Sequence, residues 1–216
     1  MTYPFIKRFG KNYQQIKEFN NTNKFKVIND IVVVTPINNE CVFLVDLDTW
    51  NKLPWSEWKL NSNNYISCCG IQLHRIVAYL NGLLEDDPNS YIDHKNRNRL
   101  DCRIDNLRPC NVIQNGWNVE KKHGHQLKSG KWKFTFSKSF PTMAEAEHEL
   151  GIGNFQYMSK NRTCFTECTF DTYEEGITWW KFQAGIHYGE FSPFANPYMS
   201  CEDIIAQKQI PDIQQS

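Results

Sequence analysis

The sequence predicts an α+β fold, with short strands gathered in the first part of the chain and strands and helices interleaved after it. Three observations predict it. Residues 24–34 and 41–47 are rich in β-branched side chains and flank the turn cluster Thr35-Pro36-Ile37-Asn38-Asn39. Residues 73–84 place apolar side chains at 73, 76, 77, 80, 83 and 84, the period of a helix with one buried face. Residues 131–136 alternate strictly, with Trp132, Phe134 and Phe136 on one face and Lys131 and Lys133 on the other.

Taken in order, the opening Met1-Thr2-Tyr3-Pro4-Phe5-Ile6-Lys7-Arg8 has no apolar core followed by small residues, so no secretory signal is expected. Residues 24–34 and 41–47 are expected to pair as a hairpin. Trp50, Trp55 and Trp58 gather around Pro54. Core packing is the first expectation for them and stacking on unpaired bases the second. Tyr65 to Cys69 reads as a short strand ending at Gly70. The helix over 73–84 carries His74, read as structural, and Arg75, a candidate phosphate contact. Glu85 to Ser90 is a polar turn.

Ser90 to His94 then reads as a strand, and Arg103 to Arg108 as its return, with Pro109 expected to stop extended pairing. Asn111 and Gln114 have the spacing of a capping box, predicting a helix over 112–122 with Asn115 in its first turn. Gly116 within it costs about 1 kcal/mol relative to alanine, so this helix needs tertiary support. Farther on, Phe140-Pro141-Thr142 with Glu145, and Phe170-Asp171-Thr172 with Glu175, repeat one device, a strand end followed by a capped helix. The tail from Pro193 is expected to be loosely ordered apart from a short helix at 201–208.

At 216 residues the chain suits one large domain or two small ones. Hydrophobic residues at 40% and aromatics at 14% exclude a disordered chain. No apolar run approaches the roughly 18 residues of a membrane helix, so a cytoplasmic protein without a membrane partner is expected. The eight cysteines (41, 68, 69, 102, 110, 164, 168 and 201) include no Cys-x-x-Cys pair. Reduced thiols are the default, and structural Zn2+ is not expected.

Net charge is zero, but its distribution is uneven. Residues 94–133 hold ten Lys or Arg (95, 97, 99, 103, 108, 121, 122, 128, 131 and 133) against three acids, giving +7. Residues 139–216 hold four basic and eleven acidic residues, giving −7. The positive charge lies where a polyanion would be neutralised.

That basic stretch also carries the chemistry. Asp93 offers a hard carboxylate oxygen and Asn115 a neutral amide oxygen, which a divalent cation accepts while keeping water and phosphate in its remaining positions. On an extended segment His94 points to the opposite side from Asp93. Its imidazole can then take a proton from water without competing for the cation. Alone, an Asp-His pair in a turn is an ordinary hydrogen-bonding pair, and Asn106 a turn former.

The spacing of these residues is similar to a known family. Asp93-His94, then Asn106-Leu107-Arg108 twelve residues after the histidine, then Gln114-Asn115, preceded by Leu73-His74-Arg75, resembles the phage-type HNH homing endonucleases. The resemblance spans roughly residues 25–120. It implies a ββα-metal nuclease core behind a β-rich N-terminal lead-in, and the alternation at 131–136 with the repeated Thr-x-x-Glu device adds a smaller strand and helix module after it. The corresponding segments are 1–60, 61–123 and 124–216. It implies Asp93 and Asn115 as ligands of Mg2+ or Mn2+, His94 as general base, and Asn106 as the catalytic-loop brace that orients it. Arg75, Lys95, Arg97, Arg99, Arg103, Arg108, Lys121, Lys122, Lys131 and Lys133 are the expected DNA contacts. Ser129-Gly130-Lys131-Trp132 and Phe140-x-Thr142-x-x-Glu145-Ala146 resemble, degenerately, the AP2-like DNA-binding domains that accompany such nucleases. The expected activity is metal-dependent cleavage of double-stranded DNA by a monomer or homodimer. The alternatives are a restriction or defence nuclease, a DNA-binding protein that does not cut, and an RNA-binding protein.

Overall fold

The computed structural model describes residues 23–53, 57–84, 90–119, 124–140, 144, 145, 148, 156–158 and 163–209. The chain forms two compact units, Met1–Asn111 with Tyr198–Ser216, and Val112–Pro197. This division falls elsewhere than the expected 1–60, 61–123 and 124–216. Leu60, at the expected boundary, packs against one core, in which Val32, Phe43 and Trp58 pack with Ile76, Ile92 and Leu107. The tail rejoins that unit through Cys201 and Ile204, which pack with Ile31, Val33 and Leu44.

The first unit opens with an antiparallel sheet of β1 (Lys24–Ile28), β2 (Ile31–Thr35) and β3 (Phe43–Asp46), in that order. The run 24–34, expected as one strand, breaks at Asn29-Asp30, where Ile28 pairs with Ile31 across a two-residue turn. Asn29 takes φ 54° there, a left-handed conformation that asparagine tolerates. The continuous β-branched run of β2 follows from burial on both faces. Val32 and Val34 face the main core, while Ile31 and Val33 face the C-terminal helix Cys201–Gln209. Ser200 and Asp203 cap that helix reciprocally, Asp203 N donating to Ser200 Oγ at 3.0 Å and Ser200 N to Asp203 Oδ2 at 3.2 Å.

After the short α1 (Leu47–Trp50), a second antiparallel sheet has the order β4 (Lys59–Leu60), β5 (Ile66–Cys68) and β6 (Ile71–Gln72). Trp50 and Trp58 are buried in the core, and Trp55 lies outside the described residues. Helix α2 (Leu73–Leu80) buries Leu73, His74, Ile76, Val77 and Ala78. It stops before the expected residue 84 because Gly82 (φ 72°) reverses the chain. Gly82 N then donates to Tyr79 O and Leu83 N to Ala78 O, a Schellman ending.

A two-stranded antiparallel ribbon, β7 (Tyr91–His94) and β8 (Leu107–Cys110), closes this unit. A 3-10 turn, Ile104–Asn106, leads into β8. Pro109, expected to end pairing, lies within β8 opposite Ile92. A two-stranded ribbon leaves each strand an open edge, where proline's missing N–H costs no ladder bond.

The second unit begins with α3 (Val112–Trp117), shorter than the expected 112–122. Its sheet has the order β11 (Gln156–Met158), β12 (Thr163–Phe170), β10 (Trp132–Ser139) and β9 (His125–Gln126), all antiparallel. Helix α4 (Tyr173–Tyr188) packs Trp180, Ala184 and Tyr188 on Phe134 and Phe136. Its predicted cap is present, Thr172 and Glu175 exchanging side-chain to backbone bonds. The matching cap at Thr142 lies outside the described residues.

Candidate active site

Strand β7 sets the site by alternation, since successive side chains of a strand leave on opposite faces. Asp93 is the register partner of Arg108 and His94 that of Leu107. Arg108 donates from Nε and Nη2 to Asp93 Oδ2 at 2.9 and 2.7 Å, with Asp93 7% and Arg108 4% exposed. Two charges this deeply buried persist only as a pair.

On the other side, the His94 ring, 4% exposed, lies 4.8 Å from the ring of His74 and 6.0 Å from that of Tyr65. Tyr65 and His74 are themselves 5.1 Å apart, and the Arg99 guanidinium covers Tyr65 at 4.6 Å. Burial pushes His94 down to about 4, with Arg99 adding to the fall and the Asp101 carboxylate opposing it. Burial likewise holds His74 well below its usual value, reinforced by His94, Arg75 and Arg99. Both shifts favour the neutral imidazole, and the same burial makes His94 a weaker proton acceptor than a free histidine.

The loop after His94 is wired by side-chain amides. Asn106 Nδ2 donates to Asp101 O at 2.8 Å, its Oδ1 accepts from Asn96 N at 3.0 Å, and its backbone O accepts from Lys95 N at 2.8 Å. Asn96 Nδ2 donates to Asp101 Oδ2 at 2.9 Å, and Asn98 N donates to Asn96 Oδ1 at 2.9 Å. Arg97 N reaches back to His94 O at 2.9 Å, with Arg97 at φ 64°. The loop is pinned to β3, Leu44 N donating to Leu100 O and Cys102 N to Leu44 O, both at 2.9 Å. Asn98 Nδ2 holds the tail by donating to Met199 O at 2.9 Å. Sequence reasoning singled out Asn106 and missed Asn96, Asn98 and Asp101. Their signal is present in Asn96-x-Asn98-x-x-Asp101, short polar side chains that suit backbone hydrogen bonding in turns.

The expected DNA contacts divide. Arg75, Lys95 and Arg97 are half-buried and Arg99 is exposed. Lys95 Nζ donates to Asp105 O and Arg99 Nη1 to Asn63 O, both at 2.8 Å. Arg103 clasps Asp101 through Nε at 2.8 Å and Nη2 at 2.9 Å. Arg108 departs furthest from the expected surface role, because it neutralises Asp93 inside the ribbon. On the second unit, Lys131 pairs with Asp171 at 3.1 Å and Lys133 with Glu167 at 2.7 Å. Lys121 and Lys122 lie outside the described residues. Asn115 is exposed on α3 of the second unit.

Among the described residues no group of three or more His, Cys, Asp or Glu is placed to hold a metal ion. Of the two expected ligands, Asp93 has its Oδ2 engaged by Arg108, and Asn115 belongs to the second unit; a carboxylate with an amide would suit a hard cation such as Mg2+ or Mn2+. No helix among the described residues is long and apolar enough to cross a membrane.

Residues 72–116, about a fifth of the chain, match the model of a family described as HNH endonuclease. The matched span contains α2, the β7–β8 ribbon with its loop, and the start of α3. The match supports an HNH nuclease as the class and nucleic acid as the substrate class. No curated protein and no solved structure matches the chain.

Proposed function

We propose that this protein is a metal-dependent DNA endonuclease of the HNH type, acting on double-stranded DNA and related to homing nucleases. In this reading His94 is the general base and takes a proton from the attacking water. Asp93 and Asn115 would hold Mg2+ or Mn2+. When bound, the cation stabilises charge on the phosphate as its ester bond breaks. Asn106 braces the loop that fixes the backbone on either side of His94. Arg75, Lys95, Arg97 and Arg99 meet phosphates, and the second unit contributes target recognition as an AP2-like module. One motif copy gives one active centre per chain, so a monomer nicks and a homodimer cuts both strands.

The observation that carries the reading is the division of labour on β7. Asp93 pairs with the Arg108 guanidinium on one face of the strand, and the imidazole of His94 occupies the other, within the span that matches the HNH family. The test is incubation of the purified protein with supercoiled plasmid and linear fragments, with Mg2+, Mn2+ or EDTA. Conversion to nicked or linear product in metal and none in EDTA is expected. Absence of cleavage in both metals across a target library overturns the reading.

A second reading, a DNA-binding protein on an HNH scaffold without cleavage, is favoured by one observation. Asp93 and His94 are both almost wholly buried. It predicts metal-independent DNA binding and intact plasmid under every condition.

A further inference from the structure

The sequence reads His74 as structural, and its environment adds to that part. His74 lies on the apolar face of α2, 4% exposed, among Leu73, Ile76 and Val77. Desolvating an imidazole there costs free energy that a leucine or phenylalanine of similar size would not incur. Packing alone therefore does not account for the residue. Its ring meets the ring of His94 at 4.8 Å with the planes inclined by 59°.

Tyr65 completes a second wall, 6.0 Å from His94 and 5.1 Å from His74. That wall is itself anchored. Asn61 accepts at Oδ1 from Tyr65 N at 3.0 Å, and its own N donates to Tyr65 O at 2.9 Å. Arg99 covers the tyrosine ring at 4.6 Å while donating to Asn63 O. The torsion that turns an imidazole about its Cβ–Cγ bond is broad and soft, so surfaces packed against the ring help to fix its plane.

We infer that His74 and Tyr65 are positioning residues that fix the ring plane of His94, with Arg99 clamping Tyr65. This rests on the proposed role of His94 as base. A base must meet its proton in line, and a ring that swings loses that alignment in most of its orientations.

The test uses the full-length protein and the variants His74→Ala, His74→Phe and Tyr65→Leu. Plasmid cleavage in Mg2+, DNA affinity, thermal midpoint and the His94 ring resonances in metal-free protein at fixed pH are measured. His74→Ala is expected to lower kcat about ten- to a hundred-fold while KM and DNA affinity change by less than about two-fold. His74→Phe, which restores a flat wall, should recover most of the rate, and Tyr65→Leu should behave like His74→Ala. In both defective variants the His94 resonances should shift or broaden. Wild-type kcat in a folded His74→Ala overturns the inference, as does a rate that tracks the thermal midpoint without rescue by His74→Phe. If the wild type cuts nothing, the nuclease reading fails separately. The resonances then decide the positioning role, unchanged signals in His74→Ala overturning it and shifted ones supporting it.

Discussion

Arg108 directs Nε and Nη2 at a single oxygen of Asp93, Oδ2, and the two residues face each other in register across the β7–β8 ribbon. A carboxylate expected to greet a cation from outside is thus already neutralised from within. The same contact buries an arginine that the basic stretch 94–133 had placed among the expected DNA contacts.

That pairing predicts an asymmetric mutational response. Arg108→Met leaves Asp93 buried without its counter-charge and should destabilise the first unit by about 3–5 kcal/mol. Replacing both, as Asp93→Leu with Arg108→Met, should recover most of that loss. Urea unfolding monitored by tryptophan fluorescence measures both, and equal losses in the single and double variants would contradict the pairing.

His94→Ala should abolish plasmid cleavage while DNA affinity, measured by fluorescence anisotropy, stays within about ten-fold of wild type. Equal loss of binding and cleavage would make the residue structural. Asp93→Asn should change the metal dependence most, read as the shift in the Mg2+ concentration that gives half-maximal rate.

Asn106→Ala removes one amide that serves both Asn96 N and Asp101 O. Each buried partner left unsatisfied costs about 1–3 kcal/mol, so a clear fall in unfolding midpoint is expected. Amide exchange in 95–106 should rise before it rises in β1–β3, because the loop loses its brace while the sheet keeps its own ladder.

Gly176→Ala tests the second unit. A Cβ at Gly176 would lie 2.0 Å from Phe134 Cε2, and Phe134 is fully buried. Alanine brings about 1 kcal/mol of helix propensity, but overpacking a rigid ring costs about 1–3 kcal/mol. The net expectation is destabilisation in thermal unfolding, and a raised midpoint would show that the ring yields.

Acid should weaken the first unit. His74 is held below its usual value of 6.5 by burial, with His94, Arg75 and Arg99 around it. Its folded pKa is therefore depressed relative to the unfolded chain, which binds the proton more readily. The stability from keeping it neutral is fully present above about pH 6.5 and declines as pH falls toward the folded value. His74→Phe removes that proton-linked loss. Its stability measured from pH 7.5 to 5 should fall less steeply than wild type, and parallel curves would count against the linkage.

The local patterns were readable where one physical period dominates. The strict alternation of 131–136 gave β10, the 3.6-residue period gave α2, and Thr172 with Glu175 gave the start of α4. The left-handed positions Asn29 and Gly82 were the local misses, because a single residue outweighed the propensity of its neighbours. Asp93, His94 and Asn106 were legible as a spaced set, and the placement of the acid and imidazole on opposite faces followed from strand alternation alone.

Tertiary structure decided what those residues face. Which arginine belongs to Asp93 depended on the register of β7 against β8, and the enclosure of His94 depended on His74 and Tyr65 arriving from α2 and the turn before β5. The tail helix joined the first unit because Ile31 and Val33 needed cover on the second face of β2. Sequence determined the chemical types and their local periods. Burial, which assigns each charge a partner and each apolar face a cover, is a property of contacts between distant segments and had to be read from the fold.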